Sequence, residues 1–431
     1  MSPVSSKLLR LFWTAAAAVL VVLAVWLLLA IYNAFDEPLD RDTQAWLSYP
    51  VPTADPAKNG FLDQITLDSR SHLPRMAALD WLHAAHAMHE NDVSHALSAS
   101  PETFNRLYRH FIFPQDFDTP PLADCVQGCY DDILAHRSAM EASVLALAPL
   151  LGRYDSMLVQ PDYAEDLIPD LAAIGLGLAP APRLDRLYVS RMVYRLEDGQ
   201  AAVAYADWER RQLFWRRVAS KAITLQNQMQ ALVALDRGNH LLAEMLLRHP
   251  ESLSLARSQV LPALAELPLQ AQFARALAHQ LRYAQDGYTQ VGIGSWLEHH
   301  ADAGANNIFA GFGGLVGVSL YQPRATLNMA RRLSEDGMAT LGIDLDGKAQ
   351  RHFPADRQFC ATWRGQMPVT PANPFGKYLA CRAAGSFLPL LGRMEANAAT
   401  TRQLESALGA DVPLDRARQL LGSLPTGKEA P

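Results

Sequence analysis

The sequence predicts an all-α protein: one N-terminal transmembrane helix, then a large, irregular multi-helical domain of hairpin or solenoid-like character outside the cytoplasm. Three observations predict it. An unbroken apolar run fills residues 11–32, LFWTAAAAVLVVLAVWLLLAIY, with no charge, proline or glycine. Downstream, apolar residues recur at helical spacing between short glycine or proline breaks, the pattern of successive antiparallel helices. Strand-like alternation is confined to residues 338–353, where Asp346-Gly347 offers a two-residue turn for at most one short β-hairpin.

The apolar run comes first. At about 1.5 Å per residue it reaches roughly 33 Å, enough to cross a hydrocarbon core of about 30 Å. Trp13, Trp26 and Tyr32 suit the headgroup levels. Lys7 and Arg10 precede the run, whereas Asp36, Glu37, Asp40 and Asp42 follow it, offset by Arg41. This asymmetry predicts a cytoplasmic N-terminus of residues 1–10 and an extracytoplasmic bulk. The run is too long for the apolar core of a cleaved signal peptide and ends at Ala30-Ile31-Tyr32, so an uncleaved signal anchor is expected. With no ionisable group, it reads as a plain tether.

Composition narrows the rest. The chain has 431 residues, 49% hydrophobic and 19% charged, with a net charge of −6. That is enough apolar material for one large or two ordinary domains, and mild acidity argues against a nucleic-acid binder. Cys125, Cys129, Cys360 and Cys381 all follow the anchor, and an even number in an oxidising compartment predicts two disulfides. Pairing by neighbourhood joins Cys360 with Cys381, and Cys125 with Cys129 through a turn eased by Gly128. Four reduced, buried thiols are the alternative.

Residues 33–60, with Pro38, Pro50, Pro52 and Pro56 and no periodicity, read as a juxtamembrane linker, partly ordered at best. Helices are expected over 74–90, 101–111, 126–151, 161–179, 183–197, 200–217 and 218–236, the last stopped by Asp236-Arg237-Gly238. Others follow near 239–248, 251–264, 268–285, 323–337, 376–394 and 401–422, with Asn373 or Thr326 available as caps. The whole of 61–424 forms the helical domain, with a sub-boundary near 290–330, and 425–431 is a disordered tail. The uncharged stretch 303–322 is long enough for a second span. Five glycines between Gly304 and Gly317 make it a better buried, closely packed segment.

Three constellations could carry chemistry. Five of the 13 histidines lie between His72 and His95. On a helix, His83, His86 and Glu90 fall at i, i+3 and i+7 and could converge as two nitrogens and one oxygen on zinc. The same spacing more readily describes a solvated polar face, and it lacks the His-Glu-x-x-His of metalloproteases. Glu298, His299 and His300 precede the glycine-rich stretch and could line a catalytic pocket, or could simply end a helix. In DWERRQLFWRRVASK, residues 207–221, Trp208 and Trp215 share a face while Arg210, Arg211, Arg216, Arg217 and Lys221 supply charge for anionic lipid or an acidic partner. Tryptophans at this spacing, with Asp207 and Glu209 interleaved, point more to a core face.

The functional expectation is an interaction or assembly scaffold of the bacterial envelope, anchored in the inner membrane and standing in the periplasm with a protein partner. A membrane-tethered, metal-dependent hydrolase and a binder of lipid or another hydrophobic ligand are the alternatives. No P-loop, dinucleotide fingerprint or nucleophile elbow is present in the sequence.

Overall fold

The computed structural model describes residues 3–67, 75–76, 78–80, 82, 129–165, 180–264, 269–290, 319–339, 360, 372–384 and 388–424. Among them helix dominates, and the sole β feature is an isolated parallel bridge between Asn59 and Asp162. The helices are α1 (Pro3–Asn33), α2 (Arg41–Leu47), α3 (Gly60–Ile65), α4 (Cys129–Ala135), α5 (Arg137–Ala146), α6 (Ala148–Leu158), α7 (Pro180–Glu197) and α8 (Ala201–Lys221). After them come α9 (Leu225–Arg248), α10 (Leu253–Val260), α11 (Leu269–Gln290), α12 (Pro323–Ala339), α13 (Pro374–Ala384), α14 (Leu388–Leu408) and α15 (Leu414–Gly422).

The chain divides into two compact units. The first takes Met1–Ser48 and Leu281–Ser386, and the second takes Tyr49–Gln280 and Phe387–Pro431. In the first, α12 and α13 pack together, with α2 against α12. In the second, α9 is the central helix, packed by α7, α8, α14 and α15. Trp208 and Trp215 of α8 are fully buried, which is the core role their spacing predicts, and Phe214 is buried with them.

Several boundaries depart from expectation for local reasons. The single helix expected over 126–151 is three helices, α4 to α6, with breaks at His136 and Leu147. Pro149 lies in the first turn of α6, so it opens a helix that runs to Leu158 instead of closing one. Thr224 accepts from Asn227 N (3.4 Å) and so starts α9 later than expected. Gly238 does not stop that helix but lies inside it. A Cβ there would stand 2.5 Å from Arg211 Nη1 and 2.6 Å from Gln212 Oε1, so the glycine serves close packing by α8. The helix expected to begin near 161 does not, since 161–165 are non-helical. At the C-terminal end, 376–394 and 401–422 resolve into α13, α14 and α15, with Pro413 preceding the last.

Residues 33–60, expected to be a juxtamembrane linker, hold the helix α2 and one 3-10 turn. Asp40 caps α2 by accepting from Thr43 N (2.6 Å), and Asp55 caps a 3-10 turn at Pro56–Lys58. Met338 and Ala339, at the start of the expected hairpin, close α12. The remainder of that hairpin lies outside the described residues, as do 101–111 and the glycine-rich stretch up to residue 318.

Candidate functional site

In the first unit the described geometry converges where α1 ends. Leu11–Asn33 is long and apolar enough to cross a membrane and is not buried inside the protein. Its last residue, Asn33, is 3% exposed and makes two bonds of opposite sense. Its amide donates to Leu29 O (2.8 Å), within the helix, while Asn33 Oδ1 accepts the N–H of Asn373 (2.6 Å).

Asn373 is the hub of this junction. Its φ of 46° is left-handed, a conformation asparagine tolerates better than other side chains do. Its Oδ1 accepts from Gly376 N (3.2 Å), capping α13, and from Gln322 N (2.9 Å). Its amide donates to Gln322 O (3.2 Å) and to Thr326 Oγ1 (3.0 Å). Of the two candidate caps, then, Asn373 caps a helix, while Thr326 Oγ1 turns back onto Gln322 O (2.7 Å). A Cβ at Gly376 would overlap Thr326 Oγ1 and the Asn373 amide, so only glycine fits there.

The chain leaving α1 continues the lock. Both oxygens of Asp36 accept from the first turn of α12, from Arg324 N (2.7 Å) and Ala325 N (3.1 Å), an N-cap supplied from another segment. Gln322 Nε2 donates to Phe35 O (2.9 Å). Asn328 accepts from Asp40 N (3.1 Å) and donates to Pro38 O (3.0 Å). Arg331 donates to Thr43 Oγ1 (3.0 Å) and pairs with Asp40 (3.1 Å). Burial raises the Asp40 pKa, but the Thr43 bonds and the Arg331 charge outweigh it and hold the carboxyl below its usual value. Within the span itself, Trp26 donates its indole N–H to Ser319 Oγ (3.0 Å).

Beside this lock lies a groove of about 540 Å³, lined by Leu28, Ile31, Tyr32 and Phe35 together with Glu37 and Gln322. Leu28, Ile31 and Tyr32 fall at i, i+3 and i+4 on one face of α1, and Phe35 lies just past its end. They are widely exposed, Leu28 at 68% and Phe35 at 78%.

Among the described residues of the second unit, several buried ionisable groups bond within the fold. Asp185, 1% exposed, accepts from Nε and Nη2 of Arg211 in a bidentate pair (2.6 and 2.7 Å), with Tyr154 OH at 2.7 Å and Arg237 at 3.3 Å. Burial raises its pKa, yet the arginines win and hold it below the usual range. Glu165, fully buried, accepts from Ile223 N (2.9 Å), Thr224 N (2.8 Å) and Asn227 Nδ2 (2.7 Å) ahead of α9. Burial pushes its pKa up to about 7 against those donors. Nearer the surface, Tyr130 OH donates to Glu197 Oε1 (2.6 Å) and stands 3.1 Å from His249 Nε2, whose ring also meets Glu251 (3.2 Å). Burial and Glu197 raise the phenol pKa well above normal, while the Tyr130 bond lowers that of Glu197. Tyr130, Glu197 and His249 are bonded to one another. They tie together the ends of α4, α7 and α9.

His83, His86, Glu90, Glu298, His299 and His300 all lie outside the described residues. Cys360 is bonded to Cys381 in the first unit, as neighbourhood pairing predicts. Cys129 is also disulfide-bonded, and its expected partner Cys125 lies outside the described residues. The junction residues Asn33, Asn373 and Asp36 were not singled out for a role in holding the anchor. The signals were there: a lone amide closing an apolar run, an Asn-Pro step, and an acid just past the span. Comparison with known proteins finds no similar family model, curated protein or solved structure.

Proposed function

We propose that the chain is a bitopic inner-membrane protein with a cytoplasmic N-terminus, and that its helical units form an interaction or assembly scaffold on the periplasmic side. The observation that carries this reading is the coupling of an exposed apolar helix to a locked end. α1 presents its apolar side chains outward along Leu11–Asn33, yet Asn33, Phe35 and Asp36 are bonded to Asn373, Gln322 and the start of α12. A flexible tether would leave the first unit free to tumble. A bonded one gives it a constant height and tilt, which a scaffold needs in order to present one face to a partner. The Cys360–Cys381 bond supports an oxidising compartment, and the charge asymmetry around the span supports the orientation.

The test has two parts. Protease added to spheroplasts should digest the region beyond residue 33 while residues 1–10 stay protected. In-cell crosslinking followed by capture in mild detergent should recover the same envelope protein reproducibly. Digestion from the cytoplasmic side only would reverse the orientation. Capture with no recurrent partner would remove the scaffold reading.

A further inference from the structure

We propose that the groove at the outer end of α1 is a binding site for one aminophospholipid of the surrounding leaflet, with its ammonium on Glu37 and an acyl chain along Leu28, Ile31 and Tyr32. The inference rests on the reading of α1 as a membrane span and adds a ligand class to it.

Four observations lead there. Leu28, Ile31 and Tyr32, with Phe35 just past the helix, continue the exposed apolar surface of the span, so the medium that covers α1 also covers the groove. From Leu28 to the end of α1 at Asn33 the rise is about 7.5 Å, close to the thickness of one interfacial zone between chains and headgroups. The groove is preformed: Gln322 is fixed by Phe35 O and by Asn373, and Phe35 follows a helix end pinned through Asn33. Its volume of about 540 Å³ falls in the ordinary range for ligand sites, roughly 300–1,000 Å³.

The headgroup class follows from charge. Asp36 spends both oxygens on α12, and Asp40 is paired with Arg331. Glu37 is exposed and has no hydrogen bond or ion pair among the described residues. It is the acid in the lining of the groove left to meet a cation. A lone carboxylate in the lining suits a headgroup with a primary ammonium. An anionic lipid without the ammonium would leave Glu37 unpaired beside its own charge.

The experiment uses the full chain in mild detergent with equal amounts of phosphatidylethanolamine and phosphatidylglycerol. Native mass spectrometry then reads the lipid that survives activation. One phosphatidylethanolamine per chain is expected. Glu37→Gln should lower the phosphatidylethanolamine-to-phosphatidylglycerol ratio by roughly three- to fivefold, the scale of an exposed ion pair. Leu28→Trp, which fills the groove without altering charge, should remove both lipids alike. Equal retention of the two lipids by the natural chain, or a ratio unmoved by Glu37→Gln, overturns the proposal. Lipid-free dimers lost on Leu28→Trp would overturn it in favour of a second copy in the groove. Alkaline carbonate extraction of the same membranes separates the two readings. A chain that is released fails as a membrane protein, whereas one that stays integral without a headgroup preference fails only here.

Discussion

At the residue scale, the second unit is governed by carboxylates that burial and bonding pull in opposite directions. Asp185 is matched by Arg211 and Arg237, so removing its charge leaves two guanidinium groups facing an apolar core. Asp185→Ala should therefore destabilise the chain by about 3–5 kcal/mol, read from denaturant unfolding. Midpoints equal to those of the natural chain would show that Arg211 and Arg237 are stable without this partner. Glu165 predicts a pH dependence instead. Its folded pKa is raised to about 7 from 4.5, so between those values the folded state keeps a proton that the unfolded chain has lost. Stability should accordingly fall as pH rises from about 4.5 to about 7 and level off above, by an amount on the order of 3 kcal/mol. Thermal melts across that range should show the decline in the natural chain and a flatter profile in Glu165→Gln. Parallel profiles would mean that the donors at Ile223, Thr224 and Asn227 hold the carboxylate ionised throughout.

At the element scale, α8 against α9 shows how a helix pair is specified and how much of it the sequence discloses. Trp208 and Trp215 at heptad spacing were legible as core, because an apolar stripe is a property of one helix alone. Gly238 was not, because its meaning lies in the neighbour. Trp208 Nε1 donates to Gly238 O (2.7 Å), and Arg211 Nη2 reaches Ala234 O (2.8 Å), both across the gap that the missing Cβ leaves. From one sequence, a glycine after Asp-Arg looks like a C-terminal stop; only the partner helix shows that it is a contact. The three-way break of 129–158 was hidden for a related reason, since Pro149 reads the same whether it closes a helix or opens one. The junction at Asn33 and Asn373 joins residues 340 positions apart, beyond any local pattern. The pair also gives an element-scale prediction. Gly238→Ala gains about 1 kcal/mol of helix propensity but must displace Arg211, which is buried and committed to Asp185. The net effect should be a loss of roughly 1–3 kcal/mol, as for an overpacked core. A stabilised Gly238→Ala would mean that α8 can draw back at no cost.

At the scale of the whole molecule, the central question is whether the apolar helix is a leash or a post. Sequence alone favours a leash, since residues 11–32 carry no ionisable group and prolines follow. The bonds of the first unit favour a post, and they meet at one amide. Asn33→Leu tests the difference because leucine keeps the size, favours helix and is at home in lipid, so insertion of α1 should be unchanged. What disappears is the acceptor for Asn373 N–H, a buried donor at the start of α13. Leaving such a donor unpaired costs about 1–3 kcal/mol, equivalent to roughly a 5- to 150-fold rise in local opening. Hydrogen exchange of the full chain in nanodiscs should accordingly speed up across 372–378, and across 322–326 through Gln322 and Thr326, which share Asn373. Asn33→Asp, which retains an oxygen acceptor, should restore most of the protection. If both segments exchange at the natural rate in Asn33→Leu, the helix end is held by Phe35 and Asp36 alone. If Asn33→Leu instead weakens membrane retention, Asn33 acts within the span and not as the pin between the anchor and its first unit.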